Sequence, residues 1–169
     1  MSWFDRARAI LALSAALAVS GCFQPVYSEA AHPGVAEAMK QITVVPVSGR
    51  IGHYITDDLM SQLNGTGESQ TPKYRLEIKV GQTRTTPTVE SQINLASSAT
   101  ITEAADVTLT EIATGKVIYK GQSVAFAPHD LSLNDYSNLR AARDSELRVA
   151  RSLADEISLR VAAALGSKS

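Results

Sequence analysis

The clearest pattern in this chain is a strict two-residue alternation. Tyr74, Leu76, Ile78 and Val80 are apolar, and Arg75, Glu77 and Lys79 between them are charged. Strand side chains point alternately to opposite faces, so the pattern predicts a strand with one face buried and one in water. Upstream, Ile42-Thr43-Val44-Val45-Pro46-Val47 is a short β-branched run that reads as a first strand. Pro46 has no N–H for a ladder, so that strand ends there or lies at an edge. Between the two, Ile51, Ile55, Leu59 and Leu63 recur every four residues and mark one stripe of a helix over about residues 50–63. Asn64-Gly65 supplies its stop signal.

Downstream, residues 83–95 are polar, contain Pro87 and read as a loop, long for a hairpin connection. Residues 99–112 alternate again. Ile101, Ala105, Val107 and Leu109 share one face; Thr100, Thr102, Asp106, Thr108 and Thr110 share the other. Glu103 falls on the apolar side, which predicts a bulge or an early break. Ala113-Thr114-Gly115-Lys116 reads as a turn, with Gly115 free to be left-handed. Residues 117–126 return as a fourth strand.

After a polar loop, Leu139, Ala142, Val149, Ala150, Leu153, Ile157, Val161 and Ala164 fall in one angular sector of a helix over about 136–165, ended by Gly166. Asp144/Arg148, Arg151/Asp155 and Glu156/Arg160 are i,i+4 pairs on its other face, each worth about 0.2–0.5 kcal/mol. Glu146 points into the apolar sector; it is wet where the helix overhangs the sheet, or it pairs with a base such as Arg50 or Arg143. The order β-α-β-β-β-α predicts an α+β two-layer sandwich: a four-stranded, mainly antiparallel sheet with two helices on one face and a Thr-rich polar face opposite.

The first 22 residues carry a different signal. Arg6 and Arg8 precede an apolar run over 9–19 that is too short to span a bilayer, and Val19-Ser20-Gly21 lead to Cys22. This is the layout of a lipoprotein signal peptide over 1–21. The small residues let a peptidase close on the backbone, and the Cys22 thiol receives a diacylglyceryl group, with an acyl chain on the new amino terminus. Phe23 stands where Asp would hold a lipoprotein at the inner membrane, which favours the outer membrane. Residues 22–41 then read as a lipidated tether, with His32-Pro33-Gly34 as punctuation, and 42–169 as the domain. Cleavage leaves 148 of 169 residues, one domain's worth.

Composition narrows the chemistry. Removing the signal leaves 14 basic against 16 acidic residues, which gives no reason to expect nucleic acid. Cys22 is the sole cysteine, so no intramolecular disulfide forms. His32, His53 and His129 lie far apart, and none sits in a metal-ligand spacing. Asp57 and Asp58 are neighbours on a helix and do not face each other. No serine occupies a G-x-S-x-G setting, and Gly65-Thr66-Gly67 lacks the Lys-Ser/Thr of a phosphate loop. The expectation is a protein with no catalytic site, metal or cofactor. Lys73, Arg75 and Lys79 line the outer face of one strand; they are a solvated, aggregation-resistant sheet face or a rail for an anionic ligand.

Three stretches carry a resemblance to a known family. Gly21-Cys22-Phe23-Gln24-Pro25-Val26-Tyr27 is similar to an opening Gly-Cys-Gly-Phe-x-Pro-Leu-Tyr, without the Gly after Cys22. Leu109-Thr110-Glu111 with Thr114-Gly115-Lys116-Val117 is similar to a central hairpin. Tyr136, Asp144, Ala150, Leu153, Ala154, Ile157 and Arg160 fit a terminal helix with Asp-Ala and Leu-Ala-x-x-Ile, Ser145 replacing Ala. Together with the element order across about 42–165, they make the chain resemble the lipopolysaccharide-assembly lipoprotein family, LptE, in its alphaproteobacterial form. The resemblance implies a non-catalytic plug and assembly partner of the LptD outer-membrane β-barrel, serving insertion of lipopolysaccharide into the outer leaflet. It implies direct lipopolysaccharide contact through bases in some members; Lys73, Arg75 and Lys79 are candidates on charge alone. The alternative is an auxiliary lipoprotein of another envelope machine, a lipid-transport ABC system or a peptidoglycan synthase activator.

Overall fold

A computed structural model describes residues 34–65, 71–81, 83–90 and 95–167. The expected signal segment, Cys22 and most of the expected tether lie outside the described residues. The elements in chain order are α1 (Val35–Lys40), β1 (Ile42–Val44), α2 (Arg50–Asn64), β2 (Tyr74–Val80), β3 (Arg84–Glu90), β4 (Leu95–Glu111), β5 (Val117–Asp130) and α3 (Asp135–Gly166). They form the expected two-layer α+β arrangement, with one mixed sheet against the helices.

The sheet has five strands rather than four. β1 runs parallel to β2, and β2, β3 and β5 all run antiparallel to β4. β5 occupies one edge of β4, while β2 and β3 lie end to end along the other. Val80 stands opposite Ala105 and Arg84 opposite Thr102. The β3 register against β4 is therefore offset by one residue from that of β2, the offset that a bulge produces. The Gly81 N–H still donates to the Ala104 carbonyl at 2.9 Å. The segment expected as a loop over 83–95 is thus largely β3. Its Thr85, Thr86, Pro87 and Thr88 are all exposed, so neither face needs apolar residues and no alternation betrays the strand.

Glu103 neither breaks nor bulges β4. It stays in register opposite Ala125 and is only 1% exposed. Thr83 Oγ1 donates to its Oε2 at 2.5 Å, and the Ala104 N–H donates to its Oε1 at 3.3 Å. The irregularity expected at Glu103 lies on the strand across from it, where the bulge brings a hydroxyl to the buried carboxylate.

A further correction concerns the tether. Its last residues form α1, whose Val35 and Met39 are buried in the common core. The domain therefore begins before residue 42. The helices otherwise obey their sequence signals. α2 ends at Gly65 with φ 70° in the left-handed region. Asn134 caps α3, its side chain accepting from the N–H groups of Tyr136 and Ser137. At 32 residues, α3 is about 48 Å long at 1.5 Å per residue.

The core runs along the sheet, and its bulkier strand side chains are on β2 and the later part of β4. Leu76, Ile78, Val107 and Leu109 from the strands meet Ile55, Leu59, Leu153, Ile157 and Val161 from the helices. Beyond the bulge the buried inner positions are mostly small or polar: Ala99, Ala125, Ala127, His129 and Ser145, with Ile101 the largest aliphatic among them.

Candidate functional site

The described helices cover one face of the sheet, and among the described residues nothing covers the other. Because Leu76 and Ile78 point into the core, Arg75, Glu77 and Lys79 point to the open face. Lys73 is exposed just ahead of β2. Arg75 and Lys79 of the expected cationic rail thus share this face, but they are divided. Glu77 stands midway between Arg75 and Lys79, which are about 13 Å apart along the strand. Asp106 stands opposite Lys79 and accepts from Gln122 Nε2 at 3.0 Å. The cations lie among carboxylates and amides rather than on an unbroken basic surface.

Farther along, the open face changes character. Val124 and Phe126 on β5 are 51% and 70% exposed, opposite Ala104 and Thr102. Sequence reading missed them as a surface feature. The signal was present: in β5 both parities carry apolar residues, and the bulkier set, Val124 and Phe126, is the one facing away from the small buried Ala125 and Ala127. A strand that buries alanines and exposes phenylalanine offers its larger apolar surface to something outside the domain.

Two arginines tie the helices to the sheet and to each other. Arg50, at the start of α2, donates from Nε to Glu146 Oε2 at 2.7 Å and from Nη2 to Oε1 at 2.6 Å. Of the two partners considered for Glu146, Arg50 is thus the one found, and the carboxylate side chain is only 14% exposed. Hydrogen bonding to Glu146, then its charge, raises the Arg50 pKa above its ordinary value. The pair borders a cleft of about 260 Å³ beside the bulge, lined also by Gly49, Val80, Gly81 and Thr83. On α3, Arg160 pairs with Glu156 and donates from Nη1 to the Gln122 carbonyl at 2.7 Å and to Tyr119 Oη at 3.3 Å. Its pKa is raised chiefly by the Tyr119 hydrogen bond. Both guanidiniums stay charged throughout the physiological range, and what the shifts contribute to stability is lost only above the ordinary arginine range.

Among the described residues no three His, Cys, Asp or Glu side chains gather as a metal would require. His53 Nε2 lies 3.3 Å from Asp57 Oδ2 on the exposed side of α2, and His129 is on β5, beneath α3. None of the described helices is long and apolar enough to cross a membrane. The lipidation candidate Cys22 lies outside the described residues.

The fold recurs among solved bacterial structures. A candidate lipoprotein of Caulobacter crescentus CB15 superimposes with a TM-score of 0.64 at 21% identity, over 77% of this chain and 94% of that one. The minor lipoprotein from Acinetobacter baumannii gives 0.54 at 15% identity, over 74% and 94%. Uncharacterized lipoprotein B from Nitrosomonas europaea gives 0.50 at 12% identity, over 72% and 80%. At these identities the likeness establishes a common fold. No family model matches the sequence, and no curated protein does.

Proposed function

We propose that this chain is a non-catalytic outer-membrane lipoprotein, acylated at Cys22, that partners an LptD-type β-barrel in lipopolysaccharide insertion. The observation that carries the reading is the open sheet face with Val124 and Phe126 standing out of it. A plug must present an apolar and polar surface to a barrel wall while its own core is closed on the other side. Supporting it are the Gly21-Cys22 signal, the resemblance of the terminal helix, and a fold found in proteins described as lipoproteins.

Co-purification tests the partnership. Tagged full chain extracted from envelopes in mild detergent should retain a large barrel. Retention of an inner-membrane transport complex or a cell-wall synthase instead would refute the barrel and establish the auxiliary role. Lys73, Arg75 and Lys79 are proposed to contact lipopolysaccharide phosphates. Reversing all three charges should weaken lipopolysaccharide binding by at least about tenfold, since each lost charge-assisted bond is worth about 1.5–3 kcal/mol. Unchanged binding removes these three residues from the role.

A further inference from the structure

The free edge of β5 has a definite hydrogen-bonding phase. Leu131 N–H donates to the Ser97 carbonyl at 2.8 Å, and the β4–β5 register, which pairs Ser98 with Asp130, sets these two residues opposite each other. In an antiparallel ladder, bonded and non-bonded pairs alternate. Odd-numbered residues of β5 from Tyr119 to His129 therefore bond to β4, and even-numbered ones turn their N–H and C=O groups outward. Three observations agree. Pro128, which has no N–H to give, is even-numbered. The Gln122 carbonyl accepts from Arg160 Nη1 at 2.7 Å. The Pro128 carbonyl accepts from Arg148 Nη2 at 2.7 Å and from Ser145 Oγ at 3.2 Å.

α3 thus covers this edge at two points six residues apart, about 20 Å. Between them the N–H and C=O groups of Val124 and Phe126 face outward, and among the described residues nothing takes them up. The other long edge is treated differently. Gly81 N–H bonds to Ala104, so even-numbered residues of β4 face β2 and β3. In the β3 register this turns Thr85 and Pro87 outward, and Pro87 removes the N–H at the middle of that edge. β1 is only three residues long.

An edge with alternating free donors and acceptors is matched by another extended backbone. Charge selects among occupants. In a second copy paired antiparallel across Val124 and Phe126, Gln122 of one chain meets Pro128 of the other. That places Arg160 beside Arg148 at both ends, and Pro128 has no N–H to give the Gln122 carbonyl, which keeps Arg160 as its donor and gains no ladder bond. A foreign strand avoids both conflicts, and carboxylates at its ends would meet guanidinium N–H groups that the contacts to Asp144, Glu156 and the two carbonyls leave unused.

We propose that residues 122–128 of β5 are a strand-addition site that takes an extended segment of the membrane partner, apolar beside Val124 and Phe126 and acidic at its ends. The identity of that partner rests on the barrel reading; the edge does not. The test uses tagged full chain in its own envelope, as wild type, Val124→Pro and Val124→Thr. Val124→Pro removes an outward N–H and no ladder bond to β4, in the phase where Pro128 already stands; Val124→Thr keeps that N–H. Retention of the partner should fall about tenfold in the first and stay within about twofold in the second, since tenfold corresponds to about 1.4 kcal/mol.

Residue-resolved hydrogen exchange on the wild-type chain keeps the proposal falsifiable should the proline variant misfold. Alone, the amides of Val124 and Phe126 should exchange fast and those of Ala125 and Ala127 slowly; in the complex all four should be slow. Undiminished retention by a folded Val124→Pro, unchanged exchange at Val124 and Phe126 in the complex, or a wild type that retains no partner overturns the proposal. So does a homodimer that Val124→Pro dissolves, because the occupant is then a second copy. Retention of a different envelope complex, lost in Val124→Pro, upholds the edge and defeats the barrel reading.

Discussion

The two halves of β4 live in different environments, although one strand runs through both. Val107 and Leu109 stand opposite Ile78 and Leu76, and all four are buried aliphatic side chains. Ala99, Ile101 and Glu103, past the bulge, share their layer with Ala125, Ala127, His129 and Ser145. Burial stabilises by about 25 cal/mol per Å² of apolar area, so the near half dominates the folding free energy. The far half is held by ladder bonds, by the Arg148 and Ser145 contacts to Pro128, and by Glu103 with Thr83. The difference teaches that strand length and core are separable. Here the sheet extends past the bulkiest part of its core, and its largest apolar side chain there, Phe126, faces out.

The largest effect that would sharpen this contrast is a cavity in the near half. Ile157→Ala should lower unfolding free energy by about 2–5 kcal/mol in denaturant titration. Native-state hydrogen exchange should then separate the halves. The amide of Leu109 should open only with global unfolding and that of Ile101 at lower free energy. Equal protection at both would break the comparison.

A smaller effect is expected at the junction. Glu103→Ala strips Thr83 of its acceptor and should cost about 1–3 kcal/mol, with the loss of exchange protection confined mainly to β3 and the start of β4. A loss spread evenly through β2 would mean that the bulge does not divide the sheet. The smallest stability change, within about 0.5 kcal/mol, is expected for Pro87→Val on an exposed position. Light scattering should nonetheless reveal faster self-association, because an N–H returns to the middle of the β3 edge. A variant as dispersed as the wild type would mean that Pro87 does not protect that edge.

Legibility in the sequence followed the same division. β2, α2 and the buried sector of α3 were readable because each has one wet and one dry face, and the 2 and 3.6 residue periods record that contrast. β3 was not readable, because its described side chains meet water on both faces. Glu103 misled because a carboxylate on an apolar face implies disruption unless a partner is supplied, and the partner, Thr83, sits twenty residues away behind a bulge. α1 escaped because two apolar residues, Val35 and Met39, are too few to establish a period. Of the candidate surface, Lys73, Arg75 and Lys79 were visible from alternation alone. Their dilution by Glu77 and Asp106, and the edge phase of β5, depend on cross-strand register, which no single segment encodes.

The seating of Val35 and Met39 has a mechanical corollary. A domain moored by its leading end would feel any tug first at α1. There a pull must draw two apolar plugs out of a hydrocarbon socket before it can unzip a strand. In a domain so moored, α1 would serve as a strain relief, and a load at the leading end would not reach the far part of the sheet first.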